Sequence, residues 1–301
     1  AYLNNRTDDR PFFLNVGFLN PHDCCFPAMA DGGPGKYAFA PAIESDLPPL
    51  PDNFNDAYAE NGQPAIRDWS RRDWQYYIYQ YHRMVEMVDA EIGRVMDALR
   101  ASPYAENTLV IFASDHGDGA GFHANVSKGF LEEEAFRVPT IAWWPGHIPA
   151  HVQDSDHLIS SVDIAATICD YAGAPPLPKT TIAKSMRPLF EQSNGPWRDY
   201  IVGETSIGPL SAAIVEERYK SIIFTDHTRL YDLQNDPLEI RDLANDPDHA
   251  ETLARHRAHF RAYIAQIEMY PEPDNVEEMD LARGNLYREY TDWYTSVLNE
   301  A

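Results

Sequence analysis

The stretch from residue 68 to residue 117 constrains the fold more than any other: a long amphipathic helix pattern runs into an apolar strand. Tyr77, Tyr81, Met84, Val85, Val88, Ile92, Val95, Met96 and Leu99 recur at helical spacing with charged residues between them, which predicts a helix over roughly Asp68 to Arg100. Thr108-Leu109-Val110-Ile111-Phe112-Ala113 then reads as a fully apolar strand that ends at Ser114-Asp115-His116-Gly117. A helix feeding a buried strand with polar residues at its carboxyl end is the α/β arrangement, in which sites lie outside the strand ends.

The rest of the chain extends this reading. Pro11 to Leu19 is a short apolar run closed by Asn20-Pro21 and predicts a buried strand. From Cys24 to about Pro64 the density of Pro, Gly, Asn and Asp predicts a long irregular surface excursion, a kind of segment that often carries function. Val138 to Trp144 predicts a third strand, and Ser161 to Ala172 a short helix. After Tyr200 the pattern changes: Ile201–Gly203, Ala212–Val215 and Tyr219–Phe224 read as short strands of an antiparallel sheet, with a helix over Ala250–Ile267 to pack across it. Residues 271–301 form an acidic, aromatic-rich tail expected to end in a helix. The expected division is therefore 1–200, 201–270 and 271–301.

Composition narrows the partners. The 301 residues have room for one large α/β domain with a small appended one. Their net charge of -23, from 47 acidic against 24 basic residues, repels nucleic acid and anionic lipid, so neither is expected as a partner. It also repels an anionic substrate at long range, so any oxyanion site must be a local concentration of positive charge. No apolar run approaches the roughly 18 residues of a membrane span, and the first residues do not resemble a signal peptide. The three cysteines, Cys24, Cys25 and Cys169, are too few for a disulfide framework.

The segment Ser114 to Gly129 concentrates the chemistry. Asp115 and His116 at a strand end can hold a divalent cation, glycines let the following backbone approach a bound group, and Lys128 can add a charge to the same anion. Taken alone, the triplet Asp115-His116-Gly117 reads more readily as a turn, and Lys128 as a solvated side chain. The wider spacing changes the weighing. Asp115, His116, Gly117, Gly121, His123 and Lys128, followed by Glu132-Glu133-Glu134, Arg137-Val138-Pro139 and Trp144-Pro145-Gly146, resemble the sulfatases of the alkaline phosphatase superfamily. The resemblance implies that Asp115 and His116 are metal ligands and that Lys128 binds sulfate oxygens. Many members have Asn where His116 stands. His123 is placed near the substrate.

Two further matches support the same family. Pro11-Phe12-Phe13-Leu14 followed by Asn20-Pro21-His22 resembles a strand and Pro-His pair whose histidine contacts the sulfate or the leaving oxygen. By itself His22 would read as a loop residue; by resemblance it binds substrate and can protonate a departing alkoxide. Arg218-Tyr219-Lys220 with Leu230-Tyr231-Asp232-Leu233, Asp236-Pro237 and Asp242-Leu243 resembles the C-terminal sulfatase subdomain, with Asp242 in place of the usual Asn. Its residues are expected to be structural. Together the matches run from about Pro11 to Ile267.

The resemblance implies an alkaline-phosphatase-like α/β sandwich, of which 1–200 is the C-terminal part of the catalytic domain, with a small antiparallel sheet and helix over 201–270. It implies hydrolysis of a sulfate ester, on a carbohydrate, with one divalent cation, Ca2+, and a sulfated small molecule or glycan as partner. Family resemblance favours a periplasmic or extracellular setting. The family's nucleophile is a formylglycine made from Cys or Ser in a C/S-x-P/A-x-R motif before the Pro-Phe-Phe-Leu strand. Cys25-Phe26-Pro27-Ala28-Met29 is the nearest approach here, but Met29 cannot make the charge-assisted hydrogen bonds of the motif's Arg. Cys24 and Cys25 read instead as residues lining a cleft. The chain alone is thus expected to be inactive, its apolar strands covered by a missing N-terminal segment or an oligomer partner. The alternatives are a metal-dependent phosphodiesterase or phosphonate hydrolase of the same superfamily, and a non-catalytic homologue that binds sulfated glycans.

Overall fold

A computed structural model describes residues 2–6, 10–24, 44–55, 69–178, 182–193, 195–205, 207–267 and 281–299. The chain divides into two units, the first made of residues 1–110, 116–128 and 142–147, the second of 111–115, 129–141 and 148–301.

The first unit is built on helix α1, Arg71–Arg100. Its start is set by a capping box: the Ser70 hydroxyl accepts from the Asp73 amide while the Asp73 carboxylate accepts from the Ser70 amide, satisfying two donors that a helix start leaves open. Trp74, Tyr77 and Ile78 on one face are buried, with Tyr81 on the same stripe. Trp74 and Tyr77 pack with Cys24, Ala124 and Val126, and Leu50, Phe54, Trp69, Tyr81 and Met84 close over that cluster. Edge-on aromatic contacts hold it, Trp69 to Trp74 at 5.0 Å and Phe54 to Trp74 at 5.3 Å.

Two expectations about buried strands change. Residues 11–19 form no strand, and Phe13 is 71% and Leu19 70% exposed. A strand exists through a neighbour that completes its hydrogen bonds, and no described strand pairs with this run. The second run forms β1, Val110–Ala113, which pairs with β2, Thr140–Trp143, in a two-stranded sheet. Every residue of β1 is only half-buried and Ile141 is 58% exposed, because a fully buried strand needs both faces covered and the described residues cover each in part. The excursion beyond Cys24 falls mostly outside the described residues, as does Cys25.

In the second unit, helix α2, Val162–Tyr171, matches the expected short helix. A four-stranded antiparallel sheet follows, β3 (Ile201–Thr205), β4 (Ser211–Val215), β5 (Tyr219–Phe224) and β6 (Thr228–Asp232), in sequential order. Register is fixed by pairs such as Gly203 with Ala213 and Ala213 with Ile222. All five residues of β4 are buried, and the period of two sends them into different cores. Ala212, Ile214 and Ile223 meet Phe260 and Ile264 of helix α3, Ala250–Gln266, and Trp293, Tyr294 and Val297 of helix α4, Leu281–Asn299. Ala213, Val215, Ile222 and Tyr231 pack with Leu131 and Phe136. The aromatic tail therefore contributes core residues to this unit through α4. The hydroxyls of Tyr263 and Tyr294 both donate to Glu204 on β3, and burial raises that carboxyl's pKa.

Candidate functional site

The loop that follows β1 is unusual in its backbone. Ala120, His123, Ala124 and Ser127 all have positive φ, between 43° and 62°, beside Gly121 at 82°. Each non-glycine in this region costs about 1–3 kcal/mol, a strain that persists only where surrounding contacts enforce it and that concentrates at functional sites. Here the contacts are explicit. The Gly119 amide donates to Ser127 O at 2.8 Å and the Gly121 amide to Asn125 O at 3.0 Å, folding the loop back on itself. Gly119 is required by space, since a Cβ there would lie 2.5 Å from the Asn125 carbonyl.

Asp118 and Tyr77 tie this loop to α1. The Tyr77 hydroxyl donates to both Asp118 oxygens, at 2.9 and 3.0 Å, and accepts from the Ser127 amide at 3.2 Å. Asp118 also accepts from the Ala120 amide at 2.8 Å and from the Cys24 thiol at 3.6 Å. Cys24 Sγ in turn lies 3.7 Å from the Tyr77 hydroxyl. Burial raises the Asp118 pKa against the opposing pull of these donors. The Tyr77 phenol is driven far above its ordinary value, by burial first and then by the Asp118 charge, so it stays protonated and able to donate. The nearby Tyr81 phenol is pushed up to about 12, by the same two causes.

This network bears on the residues singled out from the sequence. Cys24 ends the short helical turn His22–Cys24, Asp118 lies two residues after His116, and Ser127 immediately precedes Lys128. His22, His116 and Lys128 are thereby each within two residues of one hydrogen-bonded cluster inside the first unit. His22 is exposed, while His116 and Lys128 are partly buried. Lys128 makes no hydrogen bond or ion pair among the described residues. An ammonium with no partner among the described residues can serve an external anion as a point charge. The Asn53 amide donates to His123 Nδ1 at 3.3 Å, and Asn53 is itself buried.

Asp115, at the end of β1, is exposed and belongs to the second unit. His116 Nδ1 lies 2.7 Å from Gly117 O, which fixes the tautomer whose lone pair is on Nε2, the form in which imidazole serves as a metal ligand. An imidazole so oriented suits a divalent cation as one member of a donor set. Among the described residues no group of three or more His, Cys, Asp or Glu side chains is arranged to hold a metal ion.

Sequence reasoning overlooked Tyr77, Asp118 and Asn53 as parts of this site. Tyr77 reads in the sequence as one more position on the apolar stripe of a helix, and Asp118 is not marked by any spacing. A carboxylate immediately before a glycine-rich loop was the available signal. The acidic run also has a role the letters did not reveal. Glu133 and Glu239 flank the buried Lys220 ammonium at 3.0 and 2.9 Å, and Glu132 pairs with Arg229 at 3.0 Å, all in the second unit. Asp236 accepts from the Ile240 and Arg241 amides, and Asp242 from the Leu230 and Ala244 amides, which are turn-forming tasks.

The family model described as Sulfatase matches residues 1–174, and that described as N-sulphoglucosamine sulphohydrolase, C-terminal, matches residues 121–266. The chain is 30% identical over 295 residues to Delta 4,5-hexuronate-2-O-sulfatase of Bacteroides thetaiotaomicron, covering 88% of this chain and 59% of that protein. Among solved structures it resembles a 2-O GAG sulfatase with a TM-score of 0.71 at 27% identity, over 82% of this chain and 57% of the other. It also resembles the phosphonate monoester hydrolase of Agrobacterium radiobacter with a TM-score of 0.69 at 27% identity, over 88% of this chain and 58% of the other. The chain thus spans somewhat more than half the length of these relatives. With its strand-end Asp-His pair, its pinned glycine-rich loop and a family match over more than half its residues, the chain belongs to the sulfatase family.

Proposed function

We propose that the protein acts in the hydrolysis of sulfate esters carried on carbohydrate. Membership in the family implies a divalent metal; the proposed ion is Ca2+, with Asp115 and His116 among its ligands. When bound, the cation supplies positive charge against the sulfate oxygens. Lys128 holds the same oxygens as a point charge, His123 orients the substrate from its seat on Asn53, and the exposed His22 donates a proton to the departing alkoxide. No residue of the chain is assigned the role of nucleophile. A sulfated sugar is the proposed substrate because the relative from Bacteroides thetaiotaomicron is named for 2-O-sulfated hexuronate.

The observation that carries this reading is the Lys128 ammonium, partly buried and without an ionic partner among the described residues, on a loop tied to the His22 turn. The test is calorimetric titration of the full chain with a sulfated monosaccharide and with its unsulfated counterpart, in the presence of Ca2+. Only the sulfated sugar is expected to bind, and Lys128→Ala is expected to weaken it roughly tenfold to a hundredfold, the worth of a charge-assisted hydrogen bond. Equal binding of both sugars would remove the sulfate from the account. The second reading, a phosphonate or phosphate ester hydrolase, is favoured by one feature, the imidazole of His116, and by the resemblance to the phosphonate monoester hydrolase. Preference for methylphosphonate with Zn2+ over sulfate with Ca2+ in the same titration selects it.

A further inference from the structure

We propose that Tyr77 and Asp118 are positioning residues, a clamp that holds the turn of His22 and both ends of the His116–Lys128 loop in the arrangement that receives an oxyanion. The inference rests on the proposed sulfate site and assigns what keeps that site in shape.

One hydroxyl does the joining. The Tyr77 oxygen is both donor to Asp118, near the start of the loop, and acceptor from the Ser127 amide, at its end. Tyr77 itself is fully buried in α1, packed among Trp69, Trp74 and Cys24, so its oxygen is a fixed point. The third connection is the Cys24 thiol, in contact with both members of the pair, which brings in the turn that starts at His22. The loop keeps four non-glycine residues at positive φ, a shape that persists only where surrounding contacts enforce it. An anion site formed by Lys128, His22 and His123 beside a cation on His116 needs its members held within fractions of an ångström, and that tolerance is set by such supporting contacts. Neither Tyr77 nor Asp118 is needed to touch the anion.

The experiment is titration of the full chain with inorganic sulfate in the presence of Ca2+, at a temperature well below each variant's melting point, with far-UV circular dichroism to establish folding. Asp118→Ala is expected to raise the sulfate dissociation constant roughly tenfold or more, the usual consequence of removing an outer supporting partner. Asp118→Asn is expected to restore it to within about threefold of the parent, because the amide oxygen still accepts from Tyr77 and Ala120. Tyr77→Phe is expected to weaken sulfate to a similar degree as Asp118→Ala, and it decides the matter should Asp118→Ala fail to fold. A merely structural pair would lower the melting temperature and leave the affinity of the folded protein unchanged. That result, with Lys128→Ala still impaired, overturns the clamp and leaves the sulfate site standing. Parent-like sulfate affinity in Lys128→Ala, or no sulfate binding by the parent chain, overturns the site and the clamp together.

Discussion

Arg198 clasps Asp163 through two parallel hydrogen bonds of 2.8 Å, Nη1 to Oδ2 and Nη2 to Oδ1. The carboxylate is fully buried and also accepts from the Ser160 and Lys184 amides, each at 2.8 Å. It joins α2 to two later segments of the second unit. Removing the guanidinium leaves a buried carboxylate without its counter-charge, so Arg198→Ala is expected to destabilise this unit by about 3–5 kcal/mol. Arg198→Lys, which keeps the charge but loses the fork, is expected to recover only part of that. Urea denaturation of the two variants measures the difference.

Lys220 is the second buried charge, held between Glu133 and Glu239 with its ammonium over the Phe136 ring at 5.1 Å. Burial raises the Glu239 pKa against the pull of Lys220. Lys220→Met keeps the volume and removes the cation, leaving two carboxylates facing one another. A loss of about 3–5 kcal/mol is expected for the single variant. The triple variant with Glu133→Gln and Glu239→Gln is expected to regain most of it, which a double-mutant-type cycle of chemical denaturations reads directly. An additive result in that cycle contradicts the cluster.

A third prediction concerns acid. Glu216 accepts from Arg255 at 2.7 Å and lies 3.3 Å from His256 Nε2. Burial would push its carboxyl up, but the Arg255 hydrogen bonds and the His256 charge outweigh this and hold it at about 2 instead of 4.5. Burial lowers the His256 pKa below its ordinary 6.5, against the opposing effect of Glu216. Both groups bind protons more readily in the unfolded chain, so both make stability fall as pH falls. The His256 contribution is complete above about pH 6.5 and declines below it; that of Glu216 is complete above about pH 4.5 and declines towards pH 2. Melting temperatures across pH 3 to 8 are expected to drop in these two windows, and His256→Asn is expected to flatten the upper one.

Gly119 gives a fourth. A methyl group at this position meets the Asn125 backbone at 2.5 Å, and backbone cannot move aside as a flexible side chain can. Gly119→Ala is expected to open the Gly119–Ser127 hydrogen bond and to reduce sulfate affinity roughly tenfold, while the second unit melts as in the parent. Calorimetry for the first and circular dichroism for the second provide the two readouts.

What was legible in the letters follows from how locally each feature is determined. Helix α1 was readable because its stripe and its Ser70–Asp73 start lie in consecutive sequence, and β4 and β5 were readable as apolar runs. β6, with Thr228 and Arg229 at its start, carries too polar a pattern to announce itself, and it forms because β5 offers its edge. Residues 11–19 show the converse: the pattern of a buried strand without a described neighbour to pair with. The candidate ligands and Lys128 were marked by spacing along a single segment. Tyr77 and Asn53 were not, because their roles depend on contacts with residues 41 and 70 positions away, to Asp118 and His123.

In the proposed site His22, His123 and Lys128 serve one anion, and His116 holds the cation that faces it. The most direct measurement is nuclear magnetic resonance of the histidine ring protons while the full chain is titrated with inorganic sulfate in the presence of Ca2+. His22, His116 and His123 are expected to shift together with a single midpoint, Lys128→Ala is expected to abolish this response, and the buried His256 of the second unit is expected not to move. Shifts of unrelated midpoint, or a response shared equally by the exposed His157 and His227, would contradict this.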